Sequence, residues 1–279
     1  MSSPLSPTET RALLESLGHR PVKNLGQNFL IDGNIVRKSL ELANIEPGDN
    51  VIEVGPGLGT LTQALLDAGV NVYSIEKDRR LAEHIRKMEL SSNGQLNLLE
   101  GDAMDFPLAG LPADVSHFKI VANLPYAIST PWMESIINGP TPQSMTLMLQ
   151  KEAAQRFVAA SGTKQFGSIS IFLQAAFEAS QSHNVAGSCF YPKPDVGSSL
   201  LHLKVRKDPY KFPKSDRTLI RDLFKQRRKQ MGSLLRKSSH PKANDWLKML
   251  SGLSIDLKTR SEQIGIDTWI RLSRSQESV

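Results

Sequence analysis

The sequence predicts an α/β fold, in which a doubly wound parallel sheet with an antiparallel edge hairpin precedes a small helical domain. Buried-strand and amphipathic-helix patterns alternate from residue 50 to residue 160. That alternation is typical of parallel strands joined by right-handed helical crossovers. After Gly167 two strand patterns follow one another without an intervening helix, which favours an antiparallel hairpin. Beyond residue 207 the chain is basic and helical in pattern.

The individual elements follow from the spacing of apolar residues and from cap and turn signals. Helices are predicted at 9–17, 33–43, 61–68, 79–88, 131–137, 152–160 and 168–176. Strands are predicted at 50–54, 71–75, 96–99, 119–122, 145–149, 178–185 and 201–205. Asp32 is the expected N-cap of the second helix. The Ser- and Pro-rich residues 1–8 are expected to be disordered, and the predicted domains are 1–207 and 208–279.

The charge of the chain is uneven along its length. The 279 residues carry a net charge of +6, with 39% hydrophobic and 22% charged residues, as in globular proteins. Residues 1–200 carry 15 Lys and Arg against 20 Asp and Glu, whereas residues 201–279 carry 19 against 8. A basic C-terminal part favours a polyanionic partner, and a merely solvated basic helix is the alternative.

Several classes of protein are excluded by composition. No apolar run approaches the roughly 20 residues of a membrane span. The N-terminus lacks the basic and apolar regions of a signal peptide, so a cytoplasmic protein is expected. Cys189 is the only cysteine, which excludes an internal disulfide and a Cys-rich zinc site. The six histidines are scattered, so no metal site is predicted.

A glycine turn follows the first buried strand and opens a helix. Residues 51–60 read Val-Ile-Glu-Val-Gly-Pro-Gly-Leu-Gly-Thr, in which Gly55 and Gly57 let a ligand approach the backbone. Glu76 ends the next strand, where its carboxylate can accept hydrogen bonds from ribose hydroxyls. Asp102 ends the third strand and can meet the exocyclic amine of adenine. The turn therefore predicts an adenosine-containing cofactor, although nicotinamide enzymes use nearly the same layout and a plain tight turn would look similar.

The segment Asn123-Leu124-Pro125-Tyr126 follows the fourth strand, at the sheet edge where such folds bind ligands. Two oxygens, from the Asn123 side chain and the Leu124 main chain, can grip the N–H bonds of an exocyclic amine and turn its lone pair towards an electrophile. Tyr126 can stack on the base, and Phe190 is a candidate for the opposite face. A proline turn with a core tyrosine, and a buried loop anchor at Phe190, are the structural alternatives.

Five ordered motifs resemble the small-subunit ribosomal RNA adenine N6,N6-dimethyltransferases, the kasugamycin-sensitivity methylase family. They are Gly-Gln-Asn-Phe-Leu at 26–30, Glu-Val-Gly-Pro-Gly-Leu-Gly-Thr at 53–60, Asn-Leu-Pro-Tyr at 123–126, Phe-x-Pro-x-Pro at 190–194 and Phe-Lys-Gln-Arg-Arg-Lys at 224–229. The chain departs from the family pattern at two places. It has Ala127 where the family usually has Asn after the third motif. After the fourth motif the family commonly continues Lys-Val-Asp-Ser, whereas this chain has Asp-Val-Gly-Ser at 195–198.

The resemblance implies a seven-stranded, Rossmann-like methyltransferase sheet with a small helical domain. It implies transfer of methyl groups from S-adenosyl-L-methionine, without a metal, to two adjacent adenosines in the 3′-terminal hairpin loop of small-subunit rRNA during ribosome assembly. The matched cofactor contacts are Asn28, Leu30, Gly55, Gly57, Glu76, Asp102 and Asn123. Residues Asn123 to Tyr126 would hold the target base, with Phe190 against its other face. A monomer is expected.

The C-terminal part is predicted to hold RNA through one long basic helix. Ser215 is the expected cap of this helix, which runs over 216–236 and turns an apolar stripe to the core. The basic residues lie mainly on another face: Arg217, Arg221, Lys225, Arg227, Arg228 and Lys229. Such a stripe can follow a phosphate backbone with salt-sensitive affinity.

Other functions stay open at this point. An erythromycin-resistance type methylase shares two of the motifs but modifies large-subunit rRNA. A nicotinamide-dependent oxidoreductase is a second alternative, but the sequence shows no substrate domain for one. A third alternative is a non-catalytic assembly factor that keeps the fold and binds RNA. A cytosine C5-methylase needs a nucleophilic cysteine, whereas Cys189 lies outside any such motif.

Overall fold

A computed structural model describes residues 5–274. Its α-helices are α1 Pro7–Ser16, α2 Gly33–Ala43, α3 Thr60–Asp67, α4 Arg79–Ser91, α5 Ser129–Asn138, α6 Lys151–Phe157, α7 Ser168–Ala176, α8 Lys214–Lys225, α9 Met231–Lys237, α10 Ala243–Gly252 and α11 Ile266–Arg274. Its strands are β1 Phe29–Leu30, β2 Asn50–Val54, β3 Asn71–Glu76, β4 Leu96–Glu100, β5 Lys119–Asn123, β6 Ser144–Gln150, β7 Phe177–Val185, β8 Phe190–Tyr191 and β9 Ser198–Val205. Short 3₁₀ turns lie at Lys23–Leu25, Tyr126–Ile128, Gly187–Cys189 and Ser261–Gln263.

Seven strands form one mixed sheet in the order β4-β3-β2-β5-β6-β9-β7. The strands from β4 to β6 pair in parallel, and β9 pairs antiparallel with β6. The order reverses between β2 and β5, so the crevice at their carboxyl ends is where a doubly wound sheet binds its ligand. The predicted fold class is confirmed, with the last two strands adjacent at one edge.

The strands that position this crevice are buried because their side chains are apolar on both faces. Val51, Ile52 and Val54 of β2 are fully covered, as are Ile120 and Val121 of β5. Asp32 caps α2 by accepting hydrogen bonds from the main-chain N–H groups of Asn34 and Ile35. The sequence prediction of that cap and of the bounds of α2 is therefore confirmed.

A second, two-stranded sheet was not expected from the sequence. Strand β1 pairs antiparallel with β8, so that Phe29 lies opposite Tyr191 and Leu30 lies opposite Phe190. Two-residue strands carry too little pattern to be found from one sequence, because their pairing partner is more than 150 residues away.

The chain divides into two compact units. Unit 1 comprises the residues up to Ala154 together with Ala179–Val205, and unit 2 comprises Gln155–Glu178 together with the residues from Arg206 onward. Unit 2 thus includes the segment of α7, which precedes the domain boundary predicted at residue 207. Its interior holds Trp246 against Trp269, with ring centroids 6.0 Å apart, and Phe224 against both Trp269 and Phe166.

A buried ion pair lies within unit 2. Asp216 of α8 is 0% exposed, and Lys242 Nζ lies 2.8 Å from its Oδ1 and 3.0 Å from its Oδ2. The hydroxyls of Ser215 and Ser273 also donate to this carboxylate, and Tyr210 donates to Ser273. The network joins α8 to α11 and to the residue that precedes α10.

Three sequence predictions are wrong. Disorder over 1–8 does not hold at Pro7 and Thr8, because Ser6 and Glu9 form a capping box that starts α1; residues 1–4 lie outside the described part. Ser215 is not a cap, since α8 begins at Lys214 after Pro213. The single helix over 216–236 is two helices, α8 and α9.

The interruption of that helix has a physical cause. The main-chain N–H of Met231 donates to the carbonyl of Thr259, and that of Gly232 donates to Leu257. Gln230 also forms a β-bridge with Arg260. These main-chain donors bond to a distant segment instead of to the carbonyls four residues earlier, so α8 does not continue into α9.

Candidate active site

The glycine turn after β2 forms a cradle that admits no side chain. Gly55 and Gly57 have positive φ angles of 69° and 60°. A Cβ on Gly55 would lie 3.1 Å from the Pro125 ring, and one on Gly57 would lie 3.0 Å from the Phe29 ring. Glycine is therefore required at both positions by conformation and by space.

Glu76 lies at the end of β3 with its carboxylate buried beside this cradle. Its Oε2 accepts a hydrogen bond of 3.1 Å from the N–H of Gly57, and its Oε1 accepts one of 2.9 Å from Asp78. Burial raises the pKa of Glu76, and the two main-chain donors oppose that shift. The carboxylate is thus held by the backbone at the place where an adenosine ribose would bind.

Glu53, a residue that the sequence argument did not assign to the site, lies directly beneath the turn. It is 1% exposed, and its Oε2 accepts hydrogen bonds from Thr62 Oγ1 at 2.7 Å and Ser74 Oγ at 3.2 Å. Burial raises the pKa of Glu53 from 4.5 to about 7, and the nearby Glu76 charge adds to the rise. Its position one residue before Val54-Gly55 was the available signal.

Asp102 lies in the turn after β4, beyond Glu76. Its Oδ2 lies 2.6 Å from Lys77 Nζ, and its Oδ1 accepts a hydrogen bond of 2.8 Å from the Met104 N–H. The Lys77 ammonium is the main cause that lowers the pKa of Asp102. This carboxylate is therefore an ionised acceptor in the cleft, as the predicted contact with an adenine amine requires.

Asn123 ends β5 on the opposite wall of the cleft. Its Nδ2 donates to the main-chain oxygen of Asn28 at 2.9 Å, across 95 residues of sequence. Because a carbonyl oxygen only accepts, this contact fixes which way the Asn123 amide is turned. The amide oxygen Oδ1 stays available as an acceptor for a bound group.

Tyr126 begins the 3₁₀ turn after this strand and is half-buried. Its hydroxyl and that of Ser198 are 2.5 Å apart, and burial raises the pKa of the phenol. Leu124 is buried, with its N–H donating to Met148 of the neighbouring strand. The Asn-Leu-Pro-Tyr segment is thus anchored at both ends.

All the predicted cofactor residues lie together. One cleft is lined by Asn28, Leu30, Gly55, Gly57, Glu76, Asp102 and Asn123, and also by Leu124, Pro125 and Tyr126. A second cleft shares Gly26 to Asn28, Tyr126 and Ala127 with it, and continues between Gln150 and residues 192–196. The two clefts therefore meet at the segments 26–28 and 126–127.

Phe190 does not line either cleft, although it lies opposite Leu30 in the two-stranded sheet. It is buried in the apolar cluster that contains Leu30, Val36 and Leu200. Its assignment to the second face of the target base stays a prediction.

The first cleft fits S-adenosyl-L-methionine. The glycine cradle leaves room for main-chain contact, the buried Glu76 offers acceptor oxygens to ribose hydroxyls, and Asp102 offers an acceptor to an exocyclic amine. Each feature matches one part of an adenosine, and Asn28 and Asn123 lie at the far wall, where the methionine part would extend.

The predicted RNA-contacting residues of unit 2 have different surroundings. Arg227 donates to Glu262 at 2.7 Å and to the carbonyls of Lys164 and Thr163. The Arg221 guanidinium lies 5.4 Å from the centre of the Phe172 ring. Lys225 pairs with Asp222 on the exposed face of α8, and Arg228 and Lys229 are exposed in the turn after it.

A family model for ribosomal RNA adenine dimethylases matches residues 18–276 of this chain. The chain belongs to the ribosomal RNA adenine dimethylase family. It is thus an S-adenosylmethionine-dependent rRNA adenine dimethyltransferase, and the predicted family and enzyme class are confirmed. Two relatives are named ribosomal RNA small subunit methyltransferase A. That of Opitutus terrae is 53% identical over 95% of this chain and 97% of its own, and that of Chlamydia abortus is 37% identical over 96% of each.

Solved structures show the same fold for this rRNA adenine dimethylase. A dimethyladenosine transferase from Plasmodium falciparum superposes with a TM-score of 0.74, at 24% identity over 88% of this chain and 95% of that one. The 23S rRNA methyltransferase ErmE superposes with a TM-score of 0.65, at 23% identity over 88% and 98%.

Within residues 5–274, none of the helices combines the length and apolar character needed to cross a membrane. Over the same part of the chain, no three His, Cys, Asp or Glu side chains come together as metal ligands would.

Proposed function

We propose that this enzyme dimethylates N6 of two adjacent adenosines in the 3′-terminal hairpin loop of small-subunit rRNA, within the assembling small subunit. The observation that carries the proposal is the hydrogen bond from Asn123 to the Asn28 carbonyl. It leaves the amide oxygen of Asn123 as an acceptor in the first cleft, bonded through its nitrogen to Asn28, which lines both clefts. The names of the relatives that are 53% and 37% identical support the small subunit as the substrate.

The acceptor amine needs activation because its lone pair is delocalised into the purine ring. Asn123 Oδ1 and the main-chain oxygen of Leu124 would accept hydrogen bonds from its two N–H groups, which withdraws the lone pair from conjugation with the ring and directs it towards the methyl donor. Tyr126 holds the base by stacking, a contact worth about 1–3 kcal/mol per base. S-adenosyl-L-methionine, when bound, supplies the electrophilic methyl group. Catalysis on this chain's side consists mainly of positioning two reactants in line.

The donor would be held in unit 1 by the residues of the first cleft. Glu76 accepts from the ribose and Asp102 from the adenine amine, while Gly55 and Gly57 leave the backbone open to contact. Asn28, Leu30 and Asn123 hold the methionine end. None of these proposed contacts needs a metal ion.

RNA contact belongs to unit 2 in this proposal. The exposed Lys225, Arg228 and Lys229 face phosphates, which gives salt-dependent affinity without sequence readout. An unstacked loop base then enters the second cleft, because enzymes that modify bases need the base out of the stack. The protein acts as a cytoplasmic monomer.

The test uses labelled S-adenosyl-L-methionine with undermethylated small subunits and with large subunits as separate substrates, followed by nucleoside analysis. N6,N6-dimethyladenosine in small-subunit RNA alone is the expected result. Label in large-subunit RNA would instead identify a resistance-type methylase. Absence of label from both, with the donor bound, would identify a non-catalytic assembly factor.

A further inference from the structure

Gln27 joins three parts of unit 1 through its side-chain amide. Its Oε1 accepts a hydrogen bond of 2.8 Å from the Val22 N–H and lies 2.9 Å from His19 Nε2. Its Nε2 donates to Asp78 Oδ2 at 3.3 Å. The Val22 N–H can only donate and a carboxylate oxygen can only accept, so these two partners fix the orientation of the amide.

Asp78 gives this amide a firm attachment. It is the N-cap of α4, and its Oδ1 accepts hydrogen bonds from the N–H groups of Arg80 and Leu81. It also follows Glu76 by two residues, and its own N–H donates to the Glu76 carboxylate. Gln27 therefore fastens the loop at 22–28 to the same helix start that supports the ribose-binding carboxylate.

The next residue along the loop is Asn28, whose main-chain oxygen fixes the Asn123 amide. Were this carbonyl displaced, the Asn123 amide would lose the partner that keeps its oxygen available as an acceptor. A chain of contacts thus runs from Asp78 through Gln27 and Asn28 to Asn123. Of the four residues in this chain of contacts, only Asn28 and Asn123 are predicted as site residues from the sequence.

We infer that Gln27 is a positioning residue for methyl transfer, which holds the loop at 22–28 so that the Asn28 carbonyl orients the Asn123 amide. The inference rests on the proposed function, because it assigns a role in presenting the acceptor amine. Gln27 does not touch the reacting atoms in this account, and its effect passes through Asn28 and Asn123.

The variant Gln27→Glu tests it. It preserves shape and the acceptor for Val22 but sets two carboxylates against each other at Asp78. The double variant Gln27→Glu/Asp78→Asn exchanges amide and carboxylate, restoring one donor and one acceptor while Asn still caps a helix well. The matched control is Gln63→Glu, since Gln63 of α3 makes the same amide-to-carboxylate contact with the exposed Asp67, at 2.8 Å.

The measurements are single-turnover methylation of undermethylated small subunits at saturating donor, donor affinity by calorimetry, unfolding temperature, and hydrogen–deuterium exchange of residues 22–28 in the free protein. For Gln27→Glu we expect the methylation rate to fall by about 10- to 100-fold, because small displacements of positioning groups cost that much. Loop exchange should speed up, and donor affinity should weaken less than the rate. The double variant should recover most of the rate and the slow exchange.

Three outcomes overturn the inference: a rate within about twofold of the control Gln63→Glu, a rate loss that the double variant does not recover, or an unfolding temperature that falls in step with the rate. If even the wild-type protein leaves small-subunit RNA unlabelled, the proposed function fails. The exchange measurement needs no acceptor, so unchanged loop exchange in Gln27→Glu would then still overturn the positioning role separately.

Discussion

Each unit of the chain buries a carboxyl group, and the two are stabilised in different ways. Asp216 in unit 2 faces the ammonium of Lys242 and two serine hydroxyls. Glu53 in unit 1 accepts hydrogen bonds from the uncharged Thr62 and Ser74, and burial raises its pKa to about 7. The first arrangement compensates a charge, whereas the second favours the neutral acid.

The difference follows from what each carboxyl group supports. Asp216 joins the helices of unit 2, so its charge is matched within the fold. Glu53 lies beneath a turn that must present its backbone to a ligand, next to a second buried carboxylate at Glu76. A cation placed there would compete for Glu76, and hydroxyl donors avoid that competition.

The largest expected effect is at Asp216. Asp216→Asn removes the charge that compensates Lys242 and should lower the free energy of unfolding by about 3–5 kcal/mol, as breaking a buried pair does. The matched control on the same helix is Asp222→Asn, which removes the exposed partner of Lys225 and should cost well under about 1 kcal/mol. Urea unfolding of both variants checks this. Equal losses would contradict the contrast between the two units.

Glu53→Gln should sharpen the contrast through pH. The folded state of the wild type keeps a proton on Glu53 that the unfolded chain releases, so its stability falls as pH rises from about 4.5 to about 7. The variant lacks this contribution, which amounts to about 3 kcal/mol over that range. Glu76 contributes in the same direction in both proteins, so the difference between their unfolding curves is the quantity to measure. A difference that stays constant with pH would show that Glu53 is not held neutral.

Gly57→Ala tests whether the cradle, rather than the fold, needs glycine. A positive φ costs alanine about 1–2 kcal/mol of stability, and the new methyl would displace the Phe29 ring that lines the cleft. Gly48→Ala is the matched control, because Gly48 has a φ of 86° with open space around its Cβ position. Both should lose stability from the positive φ, Gly57→Ala somewhat more because it also displaces Phe29, and calorimetry should show weaker S-adenosyl-L-methionine binding at Gly57 alone. Unchanged donor affinity at Gly57 would remove the cradle from the site.

The smallest expected effect separates two neighbouring arginines of unit 2. Arg228→Ala should lower affinity for small subunits a few-fold and reduce the salt dependence of binding by about one charge. Arg227→Ala should instead lower the unfolding temperature, since Arg227 holds Glu262 and two carbonyls together. Binding titrations at several salt concentrations, together with thermal unfolding, distinguish the two. The reverse pattern would place Arg227 in the RNA contact.

Local pattern predicted the parts of the fold that are fixed locally. The predicted bounds of α2, α7 and strand β2 match the structure. The signals for these bounds, which are apolar spacing, the Asp32 cap and the glycine turn, lie within or next to the element that each one defines. Gly55, Gly57, Glu76, Asp102 and Asn123 are expected at one site because parallel strands end at one edge of the sheet, whereas Asn28 and Leu30 are expected only from the family resemblance. All seven residues line one cleft.

Distant contacts account for what the sequence did not show. The seven-residue step from Phe224 to Met231 keeps the apolar residues on one helical face, but the N–H groups of Met231 and Gly232 donate to the carbonyls of Thr259 and Leu257, which divides the helix. Arg227 looks like a surface cation in sequence, and only the approach of Glu262 makes it structural. Gln27 lies in the motif at 26–30, but the sequence does not indicate what its side chain does, because its contacts with Asp78 and His19 are identified by geometry alone.

The short sheet of β1 and β8 has a consequence for how two reactants would be brought together. Phe29 and Leu30 line the first cleft, and the strand opposite them leads directly into residues 192–196, which line the second cleft. Pairing between β1 and β8 thus connects the lining of the first cleft to the lining of the second. If the two reactants bind in these two clefts, main-chain pairing between β1 and β8 would help to set the distance between them.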